Sequence, residues 1–235
     1  KELKELGYEV YTFQTDIQNE KQVQDLASYA ASLGSIKNVI HTSGVSPTDT
    51  DADSILQINV LGTLYVTNAF YPLLAEGGTL INFASVAAYT MEPDSKWYEV
   101  YDSWNEEGFL GRLQEFLAAS GDDPFFRAGF AYVLSKRFVI YYSQKNVLRF
   151  GKKKCRILSV SPGSYLTPMH QKLIDNQPDT AESQLDLIPA ARWGHPYEIA
   201  ALTAFLCSSG AGFISGVDIL ADGGQTANTF IEQLE

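Results

Sequence analysis

Short apolar runs, each ending in a small or acidic residue and each followed by a stretch of helical period, set the tightest limit on how this chain can fold. Tyr8 to Thr15 alternates, is rich in β-formers and ends at Asp16, so it reads as a strand; the residues before it look like the last turns of a helix closed by Gly7. Glu20 to Ser32 has helical period and stops at Gly34. Lys37 to His41 is a short apolar strand that enters a Thr-Ser-Gly-Val-Ser-Pro loop. Asp53 stands where it can cap a helix carrying Ile55, Ile58, Leu61, Leu64, Tyr65, Ala69 and Phe70. Thr79 to Phe83 is the next strand and ends at Ala84-Ser85. Phe130 to Phe150 runs without Gly or Pro and reads as one long helix. A strand from Arg156 to Val160, a helix from Pro196 to Cys207 and a strand from Gly216 to Leu220 follow. Strands alternating with helices predict parallel βαβ units and hence an α/β, doubly wound parallel sheet in three layers.

Composition narrows the partners. Twenty-eight acidic against 17 basic residues give a net charge of −11, which argues against a sequence-independent grip on nucleic acid. The one basic run, Lys152-Lys153-Lys154, reads as a solvated helix C-terminus. Two cysteines cannot build a disulfide framework, and His41, His170 and His195 show no metal-ligand spacing. No apolar run is long enough to cross a membrane and no signal peptide is visible, so the expectation is a cytoplasmic protein with no membrane partner and no metal.

In doubly wound sheets ligands bind at the carboxyl ends of the strands. Those ends carry Asp16, Thr42-Ser43-Gly44, Ser85, and Pro162-Gly163 through Thr167. On the long predicted helix, Tyr132 and Lys136 are four residues apart and share a face. A phenol titrates near ~10; a cation about 5 Å away at an effective dielectric of about 20 favours the phenolate by roughly 3 kcal/mol, about two pKa units. That would bring Tyr132 into the range useful for proton transfer. The spacing alone says little, because Tyr141 and Lys145 repeat it.

The company of these residues is more specific. Asn59 in Ile-Asn-Val-Leu-Gly-Thr, Ser85 in Asn-Phe-Ala-Ser-Val-Ala-Ala, Tyr132 with Ser135-Lys136, and Ser-Pro-Gly-Ser-Tyr-Leu-Thr-Pro resemble the short-chain dehydrogenase/reductase family. Arg192-Trp-Gly-His-Pro-Tyr-Glu-Ile-Ala and the terminal Ala-Asp-Gly-Gly agree. The resemblance covers about residues 7 to 225 and implies a Rossmann-like domain that transfers hydride between NAD or NADP and a small-molecule carbonyl or secondary alcohol. Position by position it implies that Tyr132 moves the hydroxyl proton, Lys136 lowers its pKa and holds the nicotinamide ribose, and Ser85 binds the substrate oxygen. Asn59 would hold a water in a relay behind Lys136. Asp16 and Ile17 would contact the adenine; Thr42, Ser43 and Gly44 would approach the cofactor; Pro162, Gly163 and Thr167 would edge the nicotinamide. The null alternatives are that Asp16 only caps the following helix and Thr167 the helix beginning at Pro168.

Three departures qualify the match. The family opens with a strand, a Gly-rich turn and a second strand, so the chain is expected to lack a natural segment of about 30 to 40 residues, the length of a βαβ start. That segment carries the residue that chooses between NAD and NADP, which leaves the choice unreadable. His41-Thr42-Ser43-Gly44 replaces the usual Asn-Asn-Ala-Gly, with His41 read as structural. Residues 86 to 131 put 46 positions between Ser85 and Tyr132, where the family has far fewer. The 88–125 stretch, amphipathic over Glu99 to Ala119, is expected to form a helical insertion near the substrate site, either as an apolar flap or as an interface. Family members commonly pair through the helices bearing Asn59 and Tyr132, so the resemblance implies a homo-oligomer, a dimer or tetramer, which this insertion would alter or block. The pattern looks like the hydroxysteroid dehydrogenase and carbonyl reductase branch, on a hydrophobic substrate. The rivals are a catalytically inactive binding or assembly protein of the same fold and a sugar-nucleotide epimerase, against which the Asp-Gly-Gly tail speaks.

Overall fold

A computed structural model describes residues 2–176 and 178–232. Four parallel strands make one sheet in the order of the chain: β1 Ile36–His41, β2 Leu74–Phe83, β3 Arg156–Pro162 and β4 Asp218–Ala221. Parallel neighbours require crossovers, and helices supply them. Before β1 come α1 (Glu2–Glu5) and α2 (Glu20–Leu33); between β1 and β2 lie α3 (Ala52–Leu56) and α4 (Gly62–Phe70). The β2–β3 crossover holds α5 (Ser95–Asp102), α6 (Phe109–Ala119), α7 (Pro124–Lys145) and α8 (Val147–Lys152). The last crossover holds α9 (Pro168–Asn176), α10 (Pro178–Asp186) and α11 (Pro196–Leu206), and α12 (Gln225–Glu232) follows β4.

Strand side chains alternate between faces, and the two faces are buried by different helices. Val39, Leu80 and Ile157 meet Val23 and Ala27 of α2 and Val66 and Phe70 of α4. Ile81, Leu158 and Val160 meet Leu206 of α11 and Ala211. The result is the expected three-layer α/β arrangement.

Local chemistry moves several boundaries. Asp51, not Asp53, caps α3, accepting from the Ser54 amide at 2.9 Å. The long helix starts earlier than its apolar pattern suggests because Asp123 caps it and Pro124 begins it. It stops at Asn146, and the last turns form α8. Lys153 is not a free solvated charge: its ammonium donates to the Tyr71, Pro72 and Leu74 carbonyls. Tyr8 to Thr15 takes no strand conformation. A strand needs a ladder partner, and among the described residues β1 ends the sheet. Phe13 instead rests on Tyr29 of α2, ring centroids 5.1 Å apart, while Tyr8 and Tyr11 are exposed.

The inserted stretch is helical but divided. Residues 103–108 separate α5 from α6, which starts at Gly108 with φ of 79°, a left-handed value that suits glycine. Arg112 ties the break by donating to Ser103 Oγ at 3.1 Å and the Glu107 carbonyl at 3.1 Å. Trp97, Tyr101, Phe109, Leu113 and Leu117 are buried with Ile55, Leu56, Leu64, Leu134 and Phe138. Leu134 and Phe138 lie about 200° and 240° around the helix from Tyr132, at 100° per residue. The bulk of the insertion therefore covers the side of α7 that faces away from Tyr132 and Lys136, not the substrate side where a flap was expected. Its apolar wall belongs to the core. Leu113 is fully buried there, so Leu113→Ala is expected to cost about 3 kcal/mol and to lower Tm by roughly 6–12 °C, measured by thermal denaturation.

Candidate active site

The helix α7 presents Tyr132 and Lys136 one turn apart, with the ammonium 5.6 Å from the phenol centroid. Ser85, two residues past the end of β2, faces the Tyr132 hydroxyl and favours its ionised form; it caps a 3-10 turn, Val86–Tyr89. The Ser85 hydroxyl accepts from the Ala87 amide at 3.2 Å and is held by that bond. Lys136 is only 7% exposed, and its ammonium donates to the Phe83 carbonyl at 3.0 Å. The chain thus brings the proton-bearing phenol, a hydroxyl and a cation together at the carboxyl end of β2.

The electrostatics depart from the expectation in one respect. Burial pulls Lys136 down to about 8, because a charge loses hydration there. Burial also pushes Tyr132 up; the Ser85 hydroxyl opposes this and the Asp49 carboxylate adds to it. Lys136 does not bring the phenol down as expected. Its ammonium lies over the ring and gives a hydrogen bond to Phe83 rather than to the phenol oxygen, so desolvation decides the outcome.

Asn59 sits in a widened π-helical turn, Gln57–Leu61, between α3 and α4. Its side chain is committed to protein partners: Oδ1 accepts from the Val45 amide at 2.9 Å, and Nδ2 donates to the Val45 carbonyl at 3.0 Å and to Ser135 Oγ at 3.1 Å. Ser135 in turn donates to the Tyr132 carbonyl at 2.8 Å. Asn59 therefore clamps the loop after β1 to the catalytic helix. Both Nδ2 protons are thereby used, while Oδ1 accepts one bond and keeps a second lone pair for the water expected behind Lys136.

Gly44 lies in that clamped loop. A Cβ there would sit 3.0 Å from Asn59 Oδ1 and 3.4 Å from Lys136 Nζ, so its bare backbone leaves a cradle beside the ammonium. Thr42 and Ser43 next to it are exposed. Asp16 accepts from the Gln18 amide at 3.0 Å and lines an open polar groove with Gln18, Asn19 and Lys21. It does not cap α2; Asn19 does, accepting from the Gln22 amide at 3.1 Å. Ile17 lies against Gly62, where any side chain would come within 2.6 Å. Pro162 closes β3, and Gly163 follows with its Cα so near Asp222 that a Cβ would meet it at 2.7 Å. Thr167 accepts from the His170 amide at 3.2 Å, so it does cap the helix beginning at Pro168.

His41 is buried and structural. Its Nδ1 lies 3.2 Å from Asn82 Oδ1, Asn82 donates to Ser143 at 3.1 Å, and burial pulls the imidazole down to about 4. This neutral strap ties β1, β2 and α7 together. Sequence reasoning missed Val45, Asn82 and the Phe83 carbonyl, which act through backbone or through residues ordinary for a strand; it also missed Asp49, whose reach to Tyr132 depends on a loop path that no spacing reveals.

The family model described as enoyl-(acyl carrier protein) reductase matches residues 1–101 and 118–226, skipping residues 102–117 in the middle of the 88–125 stretch. Among curated proteins, a short-chain dehydrogenase/reductase, bsc3, of Alternaria brassicicola is 31% identical over 96% of this chain and 81% of its own length. D-threitol dehydrogenase of Mycolicibacterium smegmatis is 30% identical over 91% and 72%. Among solved structures, the 3-alpha-hydroxysteroid dehydrogenase of Pseudomonas sp. complexed with NADH shares the fold at a TM-score of 0.75, with 20% identity over 94% of this chain and 85% of that one. The chain belongs to the short-chain dehydrogenase/reductase family of oxidoreductases.

The buried ammonium gives a stability test separate from activity. A shift from 10.5 to about 8 corresponds to roughly 3 kcal/mol of desolvation at neutral pH, against about 2 kcal/mol for orphaning the Phe83 carbonyl. The two nearly offset, so Lys136→Met is expected to keep Tm within a few degrees of the wild type, read by denaturation at pH 7, while losing turnover.

Proposed function

We propose that the chain is an NAD(P)-dependent oxidoreductase that interconverts a carbonyl and a secondary alcohol. The observation that carries the reading is the grouping of Tyr132, the Ser85 hydroxyl that faces it and the buried Lys136 ammonium held by the Phe83 carbonyl. The residues present fit a dinucleotide: the cradle at Gly44 opens beside Lys136, and the polar groove at Asp16 offers a place for the adenine end. Lys136, Gly44, Pro162, Gly163 and Thr167 would hold the nicotinamide half, with Thr42 and Ser43 alongside, and Asp16 and Ile17 the other. The cofactor supplies or accepts the hydride. Ser85 donates a hydrogen bond to the substrate oxygen as charge develops on it. Tyr132 gives its proton to that oxygen in reduction and removes it in oxidation. The Lys136 charge would hold the nicotinamide ribose, and Asn59 keeps the β1 loop and α7 in register.

The substrate is an apolar ketone or alcohol, steroid-like or smaller. Support comes from a cavity of about 440 Å³ that begins at Val86, the residue after Ser85, where Tyr89, Leu220, Ala227 and Phe230 give an apolar wall and Thr90, Glu92, Gln225, Thr226 and Thr229 a polar one. A homo-oligomer built on the helices bearing Asn59 and Tyr132 would have to displace α5 and α6, which pack on Ile55, Leu56, Leu64 and Phe138; this favours other surfaces for a dimer or tetramer. Free Cys155 and Cys207 are consistent with a cytoplasmic address.

Turnover is to be followed as NADH or NADPH oxidation against a panel of apolar ketones. Tyr132→Phe keeps cofactor binding, read by fluorescence titration, and loses most turnover. Tyr141→Phe keeps it; the reverse pattern, or no binding of either nucleotide, sinks the reading in favour of a fold used for binding alone. The reductive rate is expected to hold level at neutral pH and to fall as pH rises through about 8, where Lys136 loses its charge; a flat profile across that range would remove Lys136 from the mechanism.

A further inference from the structure

Arg137 follows Lys136 on α7 and takes no part in the chemistry above. Its half-buried guanidinium lies between two rings, 5.8 Å from the Tyr89 centroid and 6.0 Å from that of Tyr98. Nε and Nη2 donate to the Tyr98 hydroxyl at 3.2 and 2.9 Å, and Nη1 donates to the Ala88 carbonyl at 3.4 Å. Tyr98 belongs to the inserted helix α5; Ala88 and Tyr89 belong to the turn that Ser85 caps.

That turn has little of its own to hold it. A four-residue 3-10 turn has poor hydrogen-bond geometry and is marginal alone; here it rests on the Ala87 amide to Ser85 Oγ at 3.2 Å, the Ala88 amide to the Ser85 carbonyl at 3.0 Å, and the Thr90 amide and hydroxyl to the Ala87 carbonyl at 3.2 and 2.9 Å. On its other side the Tyr89 hydroxyl donates to Asp218 Oδ2 at 2.7 Å on β4, and Ser159 donates to Oδ1 at 2.5 Å. Apart from Arg137, the polar anchor comes from β4, while Ala88 packs on Val139 and Ile140 of α7, an apolar contact that holds the turn down without fixing its direction. The planar guanidinium spans the gap because its donors point in fixed directions. Tyr98 is itself seated by Tyr101 and Tyr141, at 6.1 and 5.1 Å between centroids.

We propose that Arg137 is a positioning residue that couples the inserted helix α5 to the turn setting the Ser85 hydroxyl, so that the insertion supports catalysis without touching substrate. The proposal rests on the enzyme reading above, and a displacement of the hydroxyl by about 1 Å is enough to cost on the order of a hundredfold in rate.

Two measurements on the full chain decide it. Hydrogen–deuterium exchange of the peptide spanning Ser85 to Thr90 reports the coupling, and reduction of 9,10-phenanthrenequinone with NADPH, or with NADH where NADPH does not bind, reports its consequence. Arg137→Ala and Tyr98→Phe are expected to speed exchange in that peptide and, for Arg137→Ala, to lower kcat roughly ten- to a hundredfold with the cofactor's dissociation constant unchanged; Arg137→Lys restores only part of kcat. Leu117→Ala, which loosens the insertion core away from Arg137, lowers Tm but leaves exchange of the peptide and kcat below the transition as in the wild type. If Arg137→Ala leaves the peptide's exchange or kcat at the wild-type value, or if Leu117→Ala reproduces both losses, the proposal fails. A wild-type chain that turns over no carbonyl sinks the enzyme reading, and the exchange data still decide whether Arg137 holds the turn.

Discussion

A helix buried all the way round has to be covered on every side, and α7 is such a helix. Ala131, Leu134, Phe138 and Tyr142 are buried on one side, while Lys136, Val139 and Ser143 are buried on the other. The sheet can cover only one side. Left bare, the Leu134–Phe138 stripe would be an exposed apolar patch of the kind that drives association. The insertion resolves this within the same chain, with Trp97, Tyr101, Leu113 and Leu117 covering that stripe. Tyr101 makes the arrangement directional as well as apolar, because its hydroxyl donates to the Leu134 carbonyl at 2.8 Å.

Rigidity on one side of α7 has a chemical use on the other. A buried ammonium is tolerated only with a fixed partner, and Lys136 finds one in the Phe83 carbonyl, two residues before Ser85. The cation and the hydroxyl are thereby referred to the same short piece of β2. Asn82, between β1 and α7, locks that piece from the opposite direction through His41 and Ser143. The neutrality of His41 matters here, since a second charge beside Lys136 would add repulsion to desolvation.

Much of this was legible beforehand, for identifiable reasons. The βαβ alternation and the Tyr132–Lys136 pairing follow from period and local spacing, which sequence states directly. The Thr167 cap and the role of His41 were also within reach of local reasoning. Tyr8 to Thr15 shows the limit: its composition is that of a strand, yet strand formation depends on a neighbour, and among the described residues none pairs with it. The insertion shows another. Its amphipathic period gave helices correctly, but period does not say which surface the apolar stripe meets. The pKa of Tyr132 failed differently, because a distance of one helical turn does not tell whether a cation faces the phenol oxygen or a carbonyl.

The widened turn at Asn59 was beyond sequence for a more basic reason. A π turn inserts one residue into a helix, shifting the phase of everything after it. Ile55 and Leu56 before the turn and Leu64 after it still reach the same core, so the apolar pattern reads through the defect as though it were continuous. What the extra residue changes is the aim of Asn59, whose amide meets the backbone of Val45 at both its amide and its carbonyl. Such paired contacts fix the loop in position and orientation together, which a single hydrogen bond would not. The loop so fixed is the one that carries Gly44, and the bare Cα there is useful only if it stays against Lys136. Asn59 therefore matters to the site through the backbone it immobilises, and the helix is deformed at the one position where a regular turn would aim that amide elsewhere.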